Sequence, residues 1–387
     1  MAIPYGRQSI TSEDIEAVVS VLKSDYLTQG PEIEKFEKSF SEHVHSPFSV
    51  AVANGTAALH LAALSLGVKE GSRWISTPIT FAASTNAILY CGGEVDFVDI
   101  DPKTFTMDLD KIETKLAQAP SGHYQGVVPV DFAGYPVNLE RLRDIADRYN
   151  LKILEDACHA PGGAFRDSSG HWQHCGNGRY ADAAIFSFHP VKHIACGEGG
   201  MVTTAQREVY YELLKLRTHG ITKDESLFEG ASPGPWYYEM QELGYNYRLT
   251  DFQAALGRSQ LRRADEGLQK RTSLAKRYGE KLSKLPYLKI PHVGDDVKHA
   301  FHLYVIQVNP DIRKRLFMHL REKNILAQVH YVPVHLHPFY QKNFKFKQGD
   351  FPLAERYYES AISLPMFPTL SEIEQDLVVD ALKSFNL

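Results

Sequence analysis

Lys192 offers the most reactive chemistry in this sequence. It lies in AAIFSFHPVKHIACGEGG (183–200), where an apolar run ends at Ser187, Pro190 prevents a simple helical continuation, and Gly197, Gly199 and Gly200 lead back into a second apolar segment. A lysine held in such a turn has its pKa lowered by desolvation or nearby cations, and its free amine then condenses with an aldehyde to form a Schiff base. By type alone it is equally a surface lysine. Asp156 stands one step beyond the apolar LKILE run, with His159 three residues on, and is either a helix-capping carboxylate or one that faces a ligand. In NGTAALHLAAL (54–64) a turn opens a helix whose first N–H groups, at Gly55, Thr56 and Ala57, suit a phosphate or simply join strand to helix. In GYNYRLTDFQAALG (244–257), Asn246 and Arg248 precede a helix start marked by Thr250 and Asp251.

These residues need elements to hold them at strand ends and helix starts. Thr11, three residues before Asp14, marks a helix with Ile15, Val18, Val19 and Leu22 on one face. Pro31 then opens a second helix with Ile33, Phe36, Phe40 and Val44 aligned. Strand-like segments at 48–53, 73–77, 95–100, 126–132 and 151–157 alternate with helical ones from Thr56 and over 80–91 and 138–149. This alternation predicts a parallel sheet between layers of helices, with ligands at the carboxyl ends of the strands. After a strand at 199–204 and a helix over 206–217, residues 221–245 turn rich in Gly, Pro and Tyr, which places the domain change there. Beyond it a long polar helix around 251–284, strands at 301–308 and 325–333 and a helix at 311–323 read as a smaller α+β domain.

The chain has 387 residues, of which 43% are hydrophobic and 23% charged, a composition of soluble globular proteins. Lys plus Arg number 42 against 47 Asp plus Glu, and the net charge of −5 has the wrong sign for a non-specific nucleic-acid binder. No apolar run is long enough for a membrane span and no secretory signal opens the chain, so a cytoplasmic protein is expected. Cys91, Cys158, Cys175 and Cys196 are too sparse for a disulfide framework. Cys158, His159, His171, His174 and Cys175 offer zinc-ligand chemistry, but their spacing fits no common zinc pattern. The intervening glycines and serines point instead to a polar hairpin, and no metal is expected.

YLTQGP, TPITFAAS, EDACHA, FSFHPVKHIACGEGG, the start of NYRLTDFQAALG and ILAQVHYVP together resemble the fold-type I pyridoxal-phosphate enzymes, specifically the DegT/DnrJ/EryC1/StrS sugar aminotransferases. The resemblance covers essentially the whole chain. It implies an α/β fold with a mostly parallel sheet between helices, a large cofactor domain at 1–245 with an N-terminal arm, and a small C-terminal α+β domain at 246–387. It also implies pyridoxal 5′-phosphate as cofactor. Lys192 would form the internal aldimine, Asp156 would pair with the pyridine nitrogen, Ser187 and the turn at Gly55, Thr56 and Ala57 would hold the phosphate, and Phe81 would stack on the ring. His159 falls where the family has a polar side chain near the cofactor. Tyr5, the loop Tyr26, Leu27, Thr28 and Gln29, and the segment Gln328, Val329, His330 and Tyr331 would line a nucleotide-sugar pocket.

Within the family the motifs are most similar to those of enzymes that aminate C4 of a UDP-linked 4-keto-6-deoxy-2-acetamido sugar in pseudaminic acid biosynthesis, with L-glutamate the usual donor. Related dehydratases carry histidine where this chain has Lys192, so transamination is favoured. A homodimer is implied, the Asn246 loop reaching the partner's cofactor phosphate. Two other readings stay open: an aminotransferase acting on a different 4-keto nucleotide sugar, and a cofactor- or nucleotide-sugar-binding regulator without turnover. The segment 167–182 looks longer than the family's usual hairpin.

Overall fold

The structure is a computed structural model and describes residues 2–387. Its central sheet has seven strands in the order Phe48–Val52, Gly200–Thr204, Ala183–Ser187, Lys152–Asp156, Gly126–Val127, Arg73–Ser76 and Glu94–Phe97. All are parallel except Gly200–Thr204, which runs antiparallel to both neighbours. The connection between Ser187 and Gly200 carries no helix, so it cannot cross the sheet and must reverse direction. That reversal places the Lys192 turn at the sheet's carboxyl edge.

Both sheet faces are covered, which accounts for the unbroken apolar runs. Val50, Val52, Ile185 and Val202 pack on one face with the helices Gly55–Ser65, Ala83–Tyr90 and Arg207–Arg217. On the other, Ala51, Phe186 and Met201 meet Phe36 and Phe40 of the helix Pro31–Val44, while Ile75, Val127 and Ile153 meet the helices Leu109–Gln118 and Leu139–Tyr149. A second core forms around the antiparallel strands Leu288–Lys289, Tyr304–Val308 and Ala361–Leu364, under the helices Ala264–Leu282, Pro310–Glu322 and Glu372–Lys383. No helix among the described residues is long and apolar enough to cross a membrane.

Several elements differ from their sequence-based expectation. The strand over 126–132 is reduced to Gly126–Val127, because Pro129 has no N–H to give a ladder. The long polar helix breaks at Arg262 and Arg263 into Asp251–Leu261 and Ala264–Leu282. Arg263 there turns its guanidinium onto the buried Asp14, at 2.6 Å. Ala254 and Leu261 of the first piece pack with Phe36 and Phe40. The strand over 325–333 shrinks to Ile325–Leu326, paired with Ile3–Pro4, after which only Gln328 bridges to Ser363 and the chain runs on toward the sheet's carboxyl edge. The helix Ser12–Leu22 begins at Thr11 with its capping box as expected, but its apolar face does not turn inward. Ile15, Val19 and Leu22 are 57%, 37% and 56% exposed, because Asp14 turns inward to accept hydrogen bonds from Gln260 and Arg263. The helix Leu109–Gln118 adds to the expected elements: Asp108 caps it, and Ile112 and Leu116 form its buried face.

The segment 167–182 is built as a hairpin of Ala164–Arg166 and Trp172–His174, flanked by Val297–Lys298. Trp172 lies between two cations, 4.3 Å from Lys298 Nζ and 4.7 Å from the Arg166 guanidinium. Of the five residues with zinc-ligand chemistry, Cys158 and His159 line the cavity described below, His171 is exposed, His174 is half-buried with its ring 4.7 Å from that of His45, and Cys175 is buried beside Asp131 and Glu155.

Asp131, Glu155 and Cys175 bring their polar atoms within 4.8 Å of one another in the interior. Both Glu155 oxygens accept from Gly176 N–H, and Asp131 Oδ1 accepts from Val137 N–H at 2.8 Å. Burial first, then mutual repulsion, pushes Glu155 well above the carboxylate range, and burial raises Asp131 to about 6. Two such acids are stable when one proton is shared between them. A carboxyl pKa raised by folding contributes stability that is complete below the ordinary carboxylate pKa and declines as pH rises through about 6. Glu155→Gln, whose amide replaces the shared proton, is therefore expected to flatten that decline. Thermal unfolding should show the wild type losing roughly 2–4 °C more than the variant between about pH 5 and pH 8, equivalent to about 1 kcal/mol. An equal loss in both proteins would refute the shared proton.

Candidate active site

A cavity of about 490 Å³ opens at the carboxyl edge of the sheet, and Lys192, Asp156, Ser187, Gly55, Thr56, Phe81, His159, Tyr5, His330 and Tyr331 all line it. Its anion-binding corner follows from local chain geometry. Asn54 caps the helix Gly55–Ser65 by accepting from Ala57 N–H at 2.8 Å. The N–H groups of Gly55 and Thr56 belong to the first turn, where no carbonyl four residues back lies within the helix. Ala57 is different from the expectation: its N–H is taken up by the cap, and it does not line the cavity. Gly55 is required at its position, since a Cβ there would come within 2.9 Å of the Ser187 Cβ.

Asp156 ends the strand Lys152–Asp156 and is buried. Its backbone N–H donates to Pro129 O at 2.9 Å, and its carbonyl accepts from Asp131 N–H at 3.1 Å. The carboxylate accepts from Ser84 Oγ–H at 2.6 Å and from Cys158 N–H at 3.1 Å. Lys192 sits in a closed turn in which its own N–H donates to His189 O, and Cys196 N–H donates to Phe188 O. The protein packed around this half-buried lysine pushes its amine pKa below the ordinary value, against the opposing pull of Cys158 and Asp156.

Beside Lys192 the site is built from neutral imidazoles. Burial first, and then the charges of Lys192, His330 and His193, hold His159 well below its ordinary pKa. His302 and His193 are lowered in the same way, and His330 falls to about 4. Ala133 N–H donates to His159 Nδ1 at 3.3 Å, so the ring proton resides on Nε2 and is donated to the Tyr331 oxygen at 3.2 Å. The Tyr331 O–H is left free to donate elsewhere. His330 Nδ1 pairs with Ser363 Oγ at 2.8 Å, and its ring packs 5.1 Å from Tyr5. Phe81, 61% exposed, forms the rim 6.0 Å from the Tyr331 ring.

Some expected residues lie elsewhere. Tyr26, Leu27, Thr28 and Gln29 are exposed and pack by their backbone on the next helix start, with Thr28 bridging Thr250 and Leu27 O accepting from Asp251 N–H. Asn246 is exposed on the loop that precedes the helix Asp251–Leu261 and pairs through its backbone with Thr218. Gln328 and Val329 are half-buried and do not line the cavity. Conversely, Asn54, Thr80, Ser84, His189 and Glu198 line it although no chemistry is expected of them, and Cys158 lines it without a zinc pattern around it. Only their nearness to the motifs TPITFAAS, EDACHA and FSFHPVKH marked them.

The DegT/DnrJ/EryC1/StrS aminotransferase family matches residues 8–383. The chain is 37% identical to a Bacillus subtilis spore coat polysaccharide biosynthesis protein, over 98% of this chain and 96% of the relative. It is 34% identical to a Campylobacter jejuni UDP-4-amino-4,6-dideoxy-N-acetyl-beta-L-altrosamine transaminase, over 99% and 97%. The solved structure of Helicobacter pylori PseC, an aminotransferase involved in the biosynthesis of pseudoaminic acid, superposes with a TM-score of 0.89 at 29% identity, covering 100% of this chain and 99% of that one. Solved relatives include PLP-form and PMP-form sugar aminotransferases.

Proposed function

Because the chain belongs to the DegT/DnrJ/EryC1/StrS aminotransferase family, whose enzymes use pyridoxal 5′-phosphate, we propose that it transfers an amino group from L-glutamate to C4 of a UDP-linked 4-keto-6-deoxy-2-acetamido sugar, the transamination of pseudaminic acid biosynthesis. The observation that carries this reading is the convergence, in one cavity, of a partly desolvated lysine, a buried carboxylate and an anion-binding turn.

The residues present fit the cofactor. Gly55, Thr56 and Ser187 suit its phosphate, Asp156 its pyridine nitrogen, Phe81 its ring face and Lys192 its aldehyde. When bound, the cofactor supplies an electron sink for the carbanion chemistry of amino-group transfer. Lys192, its pKa lowered by burial, serves as the base that moves a proton between the donor's α carbon and C4′. Asp156 keeps the ring nitrogen's proton in place. His159 orients Tyr331, and Tyr331, His330 and Tyr5 form the wall against which the sugar nucleotide packs. A regulator without turnover would yield no amino sugar from a donor and a keto sugar.

Purified protein supplied with glutamate and a panel of UDP-, dTDP- and GDP-linked 4-keto-6-deoxy sugars should yield the amino sugar, by mass, from the UDP-linked 2-acetamido substrate. Conversion of dTDP or GDP sugars alone would reject the pathway. Borohydride reduction should fix the cofactor to Lys192 on peptide mapping, and Lys192→Ala should abolish turnover while retaining cofactor binding. A tag on any other lysine would overturn the assignment.

The active unit in this proposal is a homodimer with shared sites. Tyr26, Leu27, Thr28, Gln29 and Asn246 lie together on the surface, outside their own chain's cavity. Ile15, Val19 and Leu22 of the helix that precedes Tyr26 are exposed as well, and the loop before Asn246 exposes Trp236, Tyr238, Met240 and Leu243. A second copy would cover these groups and receive the loop at its own cavity. Mixing Lys192→Ala with Asn246→Ala chains should restore activity in proportion to hybrid dimers, because each hybrid holds one undamaged site. No recovery after demonstrated subunit exchange would exclude the shared site.

A further inference from the structure

Asp156 is held by partners of two kinds. Its backbone is fixed to Pro129 and Asp131, and its Oδ1 accepts from the main-chain N–H of Cys158. Its Oδ2 accepts from a hydroxyl, Ser84 Oγ, at 2.6 Å. Ser84 lies in the first turn of the helix Ala83–Tyr90, a position where serine commonly faces solvent, yet it is buried. Its Oγ is also 2.6 Å from Thr80 Oγ1, and Thr80 is buried as well.

The direction of these bonds follows from donor capacity. Ser84 Oγ has Phe81 O at 3.2 Å and Asp156 Oδ2 at 2.6 Å, and its single proton goes to the nearer, charged oxygen. The Ser84 oxygen is then an acceptor, and Thr80 is the donor that faces it. Thr80, Ser84 and Asp156 thus form an ordered chain of three polar groups, all bordering the cavity. In a low-dielectric interior each bond in such a chain polarises the next.

We propose that Ser84, backed by Thr80, is a positioning residue that aims the Asp156 carboxylate at the cofactor's pyridine nitrogen, so that the proton between them stays on nitrogen. The inference rests on the reading that Asp156 meets that nitrogen. A hydroxyl donated to a carboxylate stabilises its negative charge and lowers its affinity for a further proton. Without Ser84 the carboxylate keeps only the Cys158 N–H on Oδ1 and is free to rotate, so it no longer holds its charge against the ring nitrogen's proton. The helix position would tolerate alanine, so propensity alone gives no reason for a buried hydroxyl there.

The test is to reconstitute wild type, Ser84→Ala, Ser84→Thr, Thr80→Val and Asp156→Asn with pyridoxal phosphate labelled with nitrogen-15 in the ring. The ring-nitrogen chemical shift and the cofactor dissociation constant are then measured, with circular dichroism to check folding. Ser84→Ala should move the shift toward that of neutral pyridine and weaken cofactor binding about tenfold, the loss expected for one hydrogen bond to a charged group. Ser84→Thr should restore both, and Thr80→Val should move the shift in the same direction by less. A wild-type shift and affinity in Ser84→Ala, alongside a changed shift in Asp156→Asn, would overturn the positioning role. An unchanged shift in Asp156→Asn would instead refute the pairing of Asp156 with the ring. Should Ser84→Ala fail to fold, a wild-type shift in Thr80→Val would overturn the chain, and a shift toward neutral pyridine would support it.

Discussion

The site depends on one close approach of backbone to backbone. Gly200 lies against the Asn54 carbonyl, and Gly55 lies against Ser187, where no Cβ fits without displacement. The antiparallel strand Gly200–Thr204 is inserted between Phe48–Val52 and Ala183–Ser187, so the turn at Asn54 and the end at Ser187 are brought to the same edge. The helix-free return that creates this strand also carries Lys192. Asp156 arrives by ordinary parallel pairing, since the strand Lys152–Asp156 sets Asp156 opposite Ile185, two residues before Ser187. The sheet register therefore brings an anion-binding turn, a lysine and a carboxylate together without any long-range loop.

Their chemistry then depends on how little water surrounds them. A half-buried lysine and several imidazoles around one buried carboxylate would repel one another if every nitrogen group were charged. Burial and the proximity of Lys192 keep His159, His193, His302 and His330 neutral, so each remains both donor and acceptor. Neutral imidazoles add no charge to compete with the amine, whose pKa is itself lowered. The same logic holds beneath the sheet, where Asp131 and Glu155 avoid a double charge by keeping a proton.

The sequence was most informative where one local cause decides the outcome. Pro31, the Thr11 capping box and the alternating apolar segments announced their elements correctly, because each acts within a few residues. The motifs around Lys192 and Asp156 marked the cavity for the same reason. What sequence periodicity could not reveal was the competition between distant partners. The helix Ser12–Leu22 looked ready to bury Ile15 and Leu22, yet the pull of Arg263 and Gln260 on Asp14 turned it the other way. Ser84 and Thr80 were invisible as site residues because their significance lies in a bond to a residue 72 positions away from Ser84.

The same helix links the fold to the arrangement of the proposed active unit. An apolar face that follows from the sequence pattern but is not buried by its own chain retains an unfavourable exposure to water. Here that face runs into Tyr26 and Leu27, whose loop is pinned by its backbone to the start of the helix Asp251–Leu261, and thence to the loop carrying Asn246. Tyr26, Leu27, Thr28, Gln29 and Asn246, expected around the ligand but absent from this chain's own cavity, are all exposed, unlike Ala57, Gln328 and Val329. In the proposed homodimer, burying that surface and completing the partner's cavity are the same event, so association would supply both apolar burial and the missing polar contacts. By drawing one side of the helix inward, the buried hydrogen bonds of Asp14 to Arg263 and Gln260 turn its apolar side to the surface.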